Sequence, residues 1–267
     1  MTVERARRPA APRVSVIVPT RNEERNLPHV LGRLPRDLHE VVLVDGRSTD
    51  GTVAAARAVL PDVRVVTQTR RGKGNAMACG FEAATGDVLV MLDADGSADP
   101  GEIPRFVGAL TGGADFAKGS RFLPGGGSSD LTRLRQVGNA ALSGIANALF
   151  RTRFTDLCYG YNALWTDLLP LLMLPPSSAP GAGEQDMLWG DGFEIETLLN
   201  LRVARAGLRV VEVPSMERLR LHGESNLRAV PDGVRVLRTI MVERRAGAAP
   251  AGALRPSLTP GAVGTLP

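Results

Sequence analysis

The sequence predicts an α/β fold, a mostly parallel sheet flanked by helices, on three observations. Short apolar, β-branched runs recur through the N-terminal part of the chain, and helical stretches separate them. Three of the runs end in polar residues: Thr20, Arg21, Asn22 and Glu23, then Asp45, Gly46, Arg47 and Ser48, then Asp93, Ala94 and Asp95. Strands buried on both faces and alternating with helices are the pattern of a parallel sheet. In open sheets of that kind the ligand lies beyond the carboxyl ends of the strands. The convergence of polar strand ends therefore places a candidate site before any family is considered.

Taken in order, residues 14–18 (VSVIV) read as a buried strand and 27–34 as a helix. Residues 41–44 form a second strand, and Thr49, Asp50 and Gly51 open a helix over 52–60. A third strand over 63–66 precedes a helix over 74–84, and a fourth, VLVML at 88–92, runs into Asp93. The second half is less regular. Residues 131–150 read as one or two helices, 161–165 as a strand, 193–206 as an amphipathic helix and 208–213 as a strand closed by Pro214. Residues 124–127 and 175–183 are loops by composition. Residues 246–267, rich in Gly and Pro with few large apolar side chains, are expected to be a disordered tail.

The charge is unevenly spread. With 32 Lys+Arg against 28 Asp+Glu the formal charge is +4, and the sequence pI is about 9.7. Residues 1–13 carry a net +3 and residues 244–267 another +3, which leaves −2 for residues 14–243. A nearly neutral body lacks the clustered excess base of a nucleic-acid surface, so no nucleic-acid partner is expected. Residues 1–13 are expected to be a basic, flexible N-terminus. No apolar run approaches the roughly 20 residues of a membrane span, and the N-terminus lacks the apolar segment of a secretory signal. Cys79 and Cys158, without metal-ligand spacing, fit a reducing compartment. A cytoplasmic location follows as the expectation. Only Lys73 and Lys118 are lysines, and in so Arg-biased a chain both merit notice.

Asp93 and Asp95 stand where a buried strand runs out. Two carboxylates one residue apart can share a hard divalent cation, Mg²⁺ or Mn²⁺, whose remaining positions a substrate phosphate would fill. An isolated D-x-D is more often a turn and helix cap, and its place after VLVML reverses that preference.

At this point a resemblance is visible in VPTRNE at 18–23, VDGRSTDGT at 44–52, GKGNA at 72–76, DAD at 93–95 and GSR at 119–121. TDLCYGY at 155–161, GLRVVEVP at 207–214 and RLHGESNL at 220–227 continue it. The chain resembles the inverting family 2 glycosyltransferases of GT-A (Rossmann-like) fold, and within them the dolichyl- or polyprenyl-phosphate mannose and glucose synthases. The resemblance implies a GT-A domain over 14–228, followed by a basic amphipathic helix over 229–245. It implies a metal-dependent enzyme that moves a hexose from a nucleotide sugar, GDP-mannose or UDP-glucose, to a polyprenyl phosphate at the inner face of the cell membrane. A hydroxyl of a soluble metabolite or glycan is the alternative acceptor, and a non-catalytic nucleotide-sugar binder the remote one. A nucleotidyltransferase is disfavoured because no Gly-rich phosphate loop follows the first strand.

Residue by residue, the resemblance implies that Pro19, Thr20, Arg21, Glu23 and Asp45 hold the nucleoside and that Lys73 helps close its pocket. Asp93 and Asp95 would manage the metal and the donor diphosphate. Arg121, Arg133 or Arg135, and Arg220 would face phosphate oxygens, with Ser225 beside the acceptor. Arg suits that task because its planar fork matches phosphate geometry. His222 is either a further metal ligand or a non-ligand. Asp191 is the candidate general base if the acceptor is a hydroxyl. Acids here also suit a helix N-terminus, and Glu196, which matches the family position better, would then anchor the helix. The chain departs from the family pattern at Gly46, where a second acid is usual, at Gly96 and Ser97, where Leu-Gln is common, and at Asn226 in place of Lys. Residues 175–191 look like an insertion.

The stretch 134–150, with apolar Leu134, Val137, Ala141, Leu142, Ile145 and Leu149 between Arg residues, suits a helix at an anionic membrane. A core helix with charged ends looks the same. Residues 234–242, flanked by Arg235, Arg238, Arg244 and Arg245, offer a second such contact.

Overall fold

A computed structural model describes residues 8–180, 187–223 and 229–246. The chain runs β1 (Val14–Thr20), α1 (Leu27–Leu31), β2 (Glu40–Asp45), α2 (Thr52–Val59), β3 (Arg64–Thr67), α3 (Lys73–Ala83), β4 (Val88–Met91), α4 (Ile103–Thr111) and β5 (Phe116–Ser120). It continues through β6 (Gly127–Ser128), α5 (Arg133–Phe150), β7 (Asn162–Trp165), α6 (Leu169–Leu172), α7 (Ile195–Arg205), β8 (Val210–Pro214), β9 (Met216–Glu217) and α8 (Ala229–Arg245).

Seven strands form one sheet in the order β3-β2-β1-β4-β7-β5-β8, and β6 pairs with β9 beside it. β3, β2, β1 and β4 are mutually parallel, as are β5 and β8. β7 is antiparallel to both of its neighbours. The expected mostly parallel sheet flanked by helices is therefore present.

Alternation along the strands explains why both faces are covered. Val16 and Val18 of β1, Leu43 of β2 and Val88 and Val90 of β4 enter one core with Phe106 and Leu110 of α4. Ile17, Val42, Val44, Leu89 and Met91 face the other way, into a core closed by Met77 and Phe81 of α3 and Leu198 and Leu199 of α7. A strand apolar at every position needs helices on both sides. A third, smaller core joins α5, α7 and α8 through Ala146, Leu201, Val236 and Ile240.

Several expectations are corrected. α1 ends three residues early, at Leu31, because the bonds beyond it tighten to a three-residue reach, from the Arg33 N–H to the Val30 carbonyl and from the Leu34 N–H to the Leu31 carbonyl. The 131–150 stretch is one helix despite Gly138 and Gly144, opened by Thr132, whose side chain accepts from the Arg135 N–H. β5 and α4 lie outside the sequence-based expectation. β5 reads FAKGS, poor in β-branched residues, yet all five of its residues are buried.

The N-terminal residues expected to be flexible are held from Arg8 onward. Arg8 donates to Asp115 at 2.7 Å and lies 4.9 Å from the Trp165 ring centroid, while Arg13 forks onto Asp87. Residues 1–7 and all of the expected C-terminal tail except Ala246 lie outside the described residues.

Candidate active site

β1, β2 and β4 deliver their polar ends to one rim of the sheet. Pro19 and Thr20 lie opposite Val44 and Asp45 in the parallel register. Thr20 is buried and its hydroxyl donates to the Val44 carbonyl at 3.2 Å. Beyond it Arg21 is exposed. Asp45 is half-buried and receives the Ser48 N–H on both oxygens at 3.3 Å. Glu23, just past β1, accepts from Asn26 at 2.5 Å and from Arg220 at 3.1 Å. Burial pushes its pKa up, and Asn26 and Arg220 work against that rise.

At the end of β4 the two aspartates have different cationic neighbours. The Lys73 ammonium, at the first turn of α3, lies 2.7 Å from Asp93 Oδ1 and 2.7 Å from Glu196 Oε1 of α7. Burial alone would lower the Lys73 pKa, but the two carboxylates outweigh it and hold the ammonium above its ordinary value. Glu196 is raised, first by burial and then by Asp93, with Lys73 opposing both. Gly160 passes directly over this cluster. A Cβ there would stand 3.0 Å from both Glu196 Oε1 and Lys73 Nζ, tighter than ordinary contact, so a side chain at this position would press on the ion pair.

Asp95 accepts the Ser97 N–H at 2.9 Å and faces Arg220 Nη2 at 3.4 Å. Arg220 thus bridges Asp95 and Glu23, and the segment carrying it is tied down by backbone bonds. The Arg218 N–H reaches the Ser97 carbonyl at 2.7 Å, and the Leu221 N–H reaches the Asp95 carbonyl at 3.1 Å. His222 is fixed by its own carbonyl, which accepts from Asn26 at 3.1 Å, and its ring lies 6.1 Å from that of His29.

Asp93 and Asp95 are hard oxygen donors at a partly open strand end, the chemistry a Mg²⁺ or Mn²⁺ ion requires. Among the described residues no cluster of three or more His, Cys, Asp or Glu could hold a metal by itself. The donor set therefore suits a cation that takes its remaining ligands from a substrate diphosphate and water.

Three sequence-predicted residues have other partners. Asp191 is buried, and both its oxygens are held by Arg70, at 2.8 Å to Nε and 2.9 Å to Nη2. Its carbonyl also accepts the Gly74 N–H at 2.7 Å, pinning the loop before α7 onto the start of α3. A carboxylate so held and only 1% exposed is poorly placed to take an acceptor's proton. Arg121 is likewise saturated: Nε and Nη2 fork onto Asp156 at 2.7 and 2.9 Å, and Nη1 reaches Glu217 at 3.0 Å. The guanidinium also stacks 4.8 Å from the Tyr159 ring centroid and is only 7% exposed, so it braces β5, β9 and the loop before β7 rather than pointing into the rim. Arg135 pairs with Asp130 at 3.2 Å, while Arg133 is exposed at the start of α5. Ser225 lies outside the described residues.

Two residues named from the sequence take parts there that the sequence did not reveal. Glu196 enters the Lys73–Asp93 cluster, which its place in a helix N-terminal acid run did not reveal. Lys118 is fully buried, its ammonium within 3.3 Å of the Gly119 and Tyr159 carbonyls, and it ties β5 to the loop before β7 that carries Gly160. Its rarity in an Arg-rich chain was the available signal.

Residues 15–166 match the family model described as Glycosyl transferase family 2. An undecaprenyl-phosphate mannosyltransferase from Micrococcus luteus is 36% identical over 224 residues, 80% of this chain and 87% of the relative. A polyprenol monophosphomannose synthase from Mycolicibacterium smegmatis is 34% identical over 213 residues, 76% of each chain. Among solved structures, glucosyl-3-phosphoglycerate synthase from Mycobacterium tuberculosis, in complex with Mn²⁺, UDP-glucose and phosphoglyceric acid, superposes with a TM-score of 0.66. At 24% identity it covers 88% of this chain and 81% of its own, and the likeness shows a shared GT-A-type fold.

Proposed function

The chain belongs to glycosyl transferase family 2 and is a glycosyltransferase, and from that premise we propose that it transfers a hexose from a nucleotide sugar to a polyprenyl phosphate. One observation carries the choice of acceptor. The buried acids around the rim are each committed to a cation: Asp191 to Arg70, Glu196 to Lys73 and Glu23 to Arg220. A hydroxyl acceptor needs a carboxylate free to take its proton, whereas a phosphate acceptor is already ionised and needs none. The names of the two relatives point the same way, and mannose is the sugar they suggest.

In this reading the donor lies across the rim, with its nucleoside over Pro19, Thr20, Arg21 and Asp45 and its diphosphate beside Asp93 and Asp95. Those two aspartates would hold Mg²⁺ or Mn²⁺, which supplies positive charge against the diphosphate. Arg220 and Lys73 are the protein's own cations at the same place. Their aspartate partners keep them oriented, so they stabilise the charge that develops as the leaving group departs. The acceptor phosphate oxygen forms the new bond to the anomeric carbon from the face opposite the diphosphate. The bond to the diphosphate oxygen breaks, its electron pair leaves with the nucleoside diphosphate, and no proton moves. Arg133, exposed at the start of α5, and Ser225, outside the described residues, are the candidates kept for the acceptor phosphate.

A lipid acceptor requires contact with a membrane. Among the described residues no helix is long and apolar enough to cross one. α5 and α8 pack together, and Leu134, Val137, Val230 and Val234 on them are each more than 60% exposed. That apolar surface near exposed Arg133 suits peripheral docking on an anionic leaflet, which would place the enzyme at the cytoplasmic face.

The test is nucleotide release with GDP-mannose and UDP-glucose, in Mg²⁺ or Mn²⁺, with polyprenyl phosphate in one arm and soluble hydroxyl acceptors in the other. Labelled sugar partitioning into organic solvent is the expected result. Turnover with soluble hydroxyl acceptors alone would overturn the lipid assignment.

A further inference from the structure

The donor must reach across several strands of the rim. From the diphosphate position at the end of β4, the order β4-β1-β2-β3 spans three interstrand steps, about 14 Å. That is the scale of a nucleoside diphosphate, so in the donor orientation proposed above the nucleobase would fall at the ends of β2 and β3. Two residues meet there. Gly46 follows β2 and has no side chain. Gln68 follows β3 and is anchored by its own N–H, which donates to the Asp45 carbonyl at 2.9 Å.

The Gln68 carboxamide is oriented by a single hydrogen bond. Its Nε2 donates to the Gly72 carbonyl at 2.6 Å. A carbonyl oxygen can only accept, so the amide nitrogen must face Gly72 and the oxygen must face the other way. Oε1 consequently points at Gly46 and lies 2.9 Å from where a Cβ of that residue would stand. Among the described residues no donor bonds to it. The space left by Gly46 is thus occupied by an acceptor of fixed direction, where that orientation would bring the base edge.

We infer that Gln68 is a specificity-determining residue that reads the nucleobase of the donor, accepting through Oε1 the ring N–H of a lactam base. Guanine and uracil both carry that N–H beside a ring carbonyl. Adenine and cytosine present a bare ring nitrogen instead, and its lone pair would face that of Oε1. A neutral amide held by Gly72 cannot turn to offer its NH₂ group without breaking its anchor, so adenine or cytosine could pair with Oε1 only through the exocyclic amino group, with the base displaced from the register that a ring N–H gives. The inference rests on the nucleotide-sugar reading above and deepens it.

The test measures binding of GDP, UDP, ADP and CDP to the full chain by titration calorimetry with Mn²⁺ present. GDP or UDP should bind the wild-type protein about tenfold more tightly than ADP and CDP, the scale of one discriminating hydrogen bond. Gln68→Ala should bring the four to within about threefold. A merely structural role for the carboxamide would weaken all four alike, so the ratio is the readout. Gly46→Asp added to Gln68→Ala returns an acceptor oxygen to the same space and should restore the preference. Retained preference in Gln68→Ala, or loss that the second substitution does not restore, overturns the inference while leaving the donor reading intact. If the wild-type chain binds none of the four, the donor reading fails and takes this inference with it.

Discussion

Arg70 and Asp191 meet in a buried fork, two parallel hydrogen bonds of 2.8 and 2.9 Å between side chains 4% and 1% exposed. The remaining guanidinium nitrogen, Nη1, is taken up by the carbonyls of Pro176, Ser177 and Ala179 at 2.9 to 3.0 Å. One guanidinium therefore ties both arms of the 175–191 segment to the start of α3. Removing one member leaves the other charged and unpaired in the interior, which costs about 3–5 kcal/mol. Arg70→Met and Asp191→Leu should each lower unfolding free energy by that order in urea titrations. The double variant should recover much of the loss, and an additive double variant would contradict the pairing.

Asp95→Ala removes the oxygen beside Arg220 at the end of β4. Nucleotide release should fall at least about a hundredfold, with the thermal midpoint within a few degrees of wild type because Asp95 lies at the rim. Turnover retained within tenfold would take Asp95 out of the catalytic machinery.

Asp156 makes a pH prediction whose sign is fixed. Burial alone would raise its pKa, but the hydrogen bonds and charge of Arg121, with Lys118 adding to them, hold it below the ordinary carboxylate value. Between the folded value and about 4, the ordinary value of an unfolded Asp, the unfolded chain binds the extra proton. The stabilisation is therefore complete above about pH 4 and is lost as pH falls through the folded value. Urea titrations from pH 7 downward should show Asp156→Asn less stable at neutrality and with a shallower fall below pH 4. An acid limb identical to wild type would exclude Asp156 as a source of that fall.

Val137→Glu combined with Val234→Glu places acids on the exposed apolar surface of α5 and α8. Sedimentation with anionic vesicles should drop severalfold, and turnover of a short-chain, water-soluble phosphate acceptor should stay within twofold. Unchanged sedimentation would show that these faces do not meet lipid.

Much of this molecule was readable from sequence, and the limits have physical causes. Val14–Thr20 and Val88–Met91 announce themselves because a strand buried on both faces must be apolar at consecutive positions. The polar end after β4, with Asp93 and Asp95, was legible for the same reason, since a buried strand has to run out into it. β5 was not, because Lys118, Gly119 and Ser120 carry no strand signature and are buried only through their neighbours. Arg121 looked free for phosphate because its partners, Asp156 and Glu217, come from distant parts of the chain. Asp191 looked free likewise, since only the folded chain brings Arg70 to it. Local pattern specifies elements and strand ends; which cation meets which acid is decided by long-range packing.

The antiparallel strand β7 has a consequence for synthesis of the chain. β4 leaves the ribosome long before Asn162–Trp165, the strand that occupies its far edge, so through all the intervening length an apolar strand stands with one side unpaired. Such an edge invites pairing with another nascent molecule. Closing it demands a contact of large sequence separation, which folds slowly. Lys73, Asp93 and Gly160 come together only when that gap is filled, so the rim cannot be competent before β7 is in place, and the interval before then is when the bare edge is most open to mispairing.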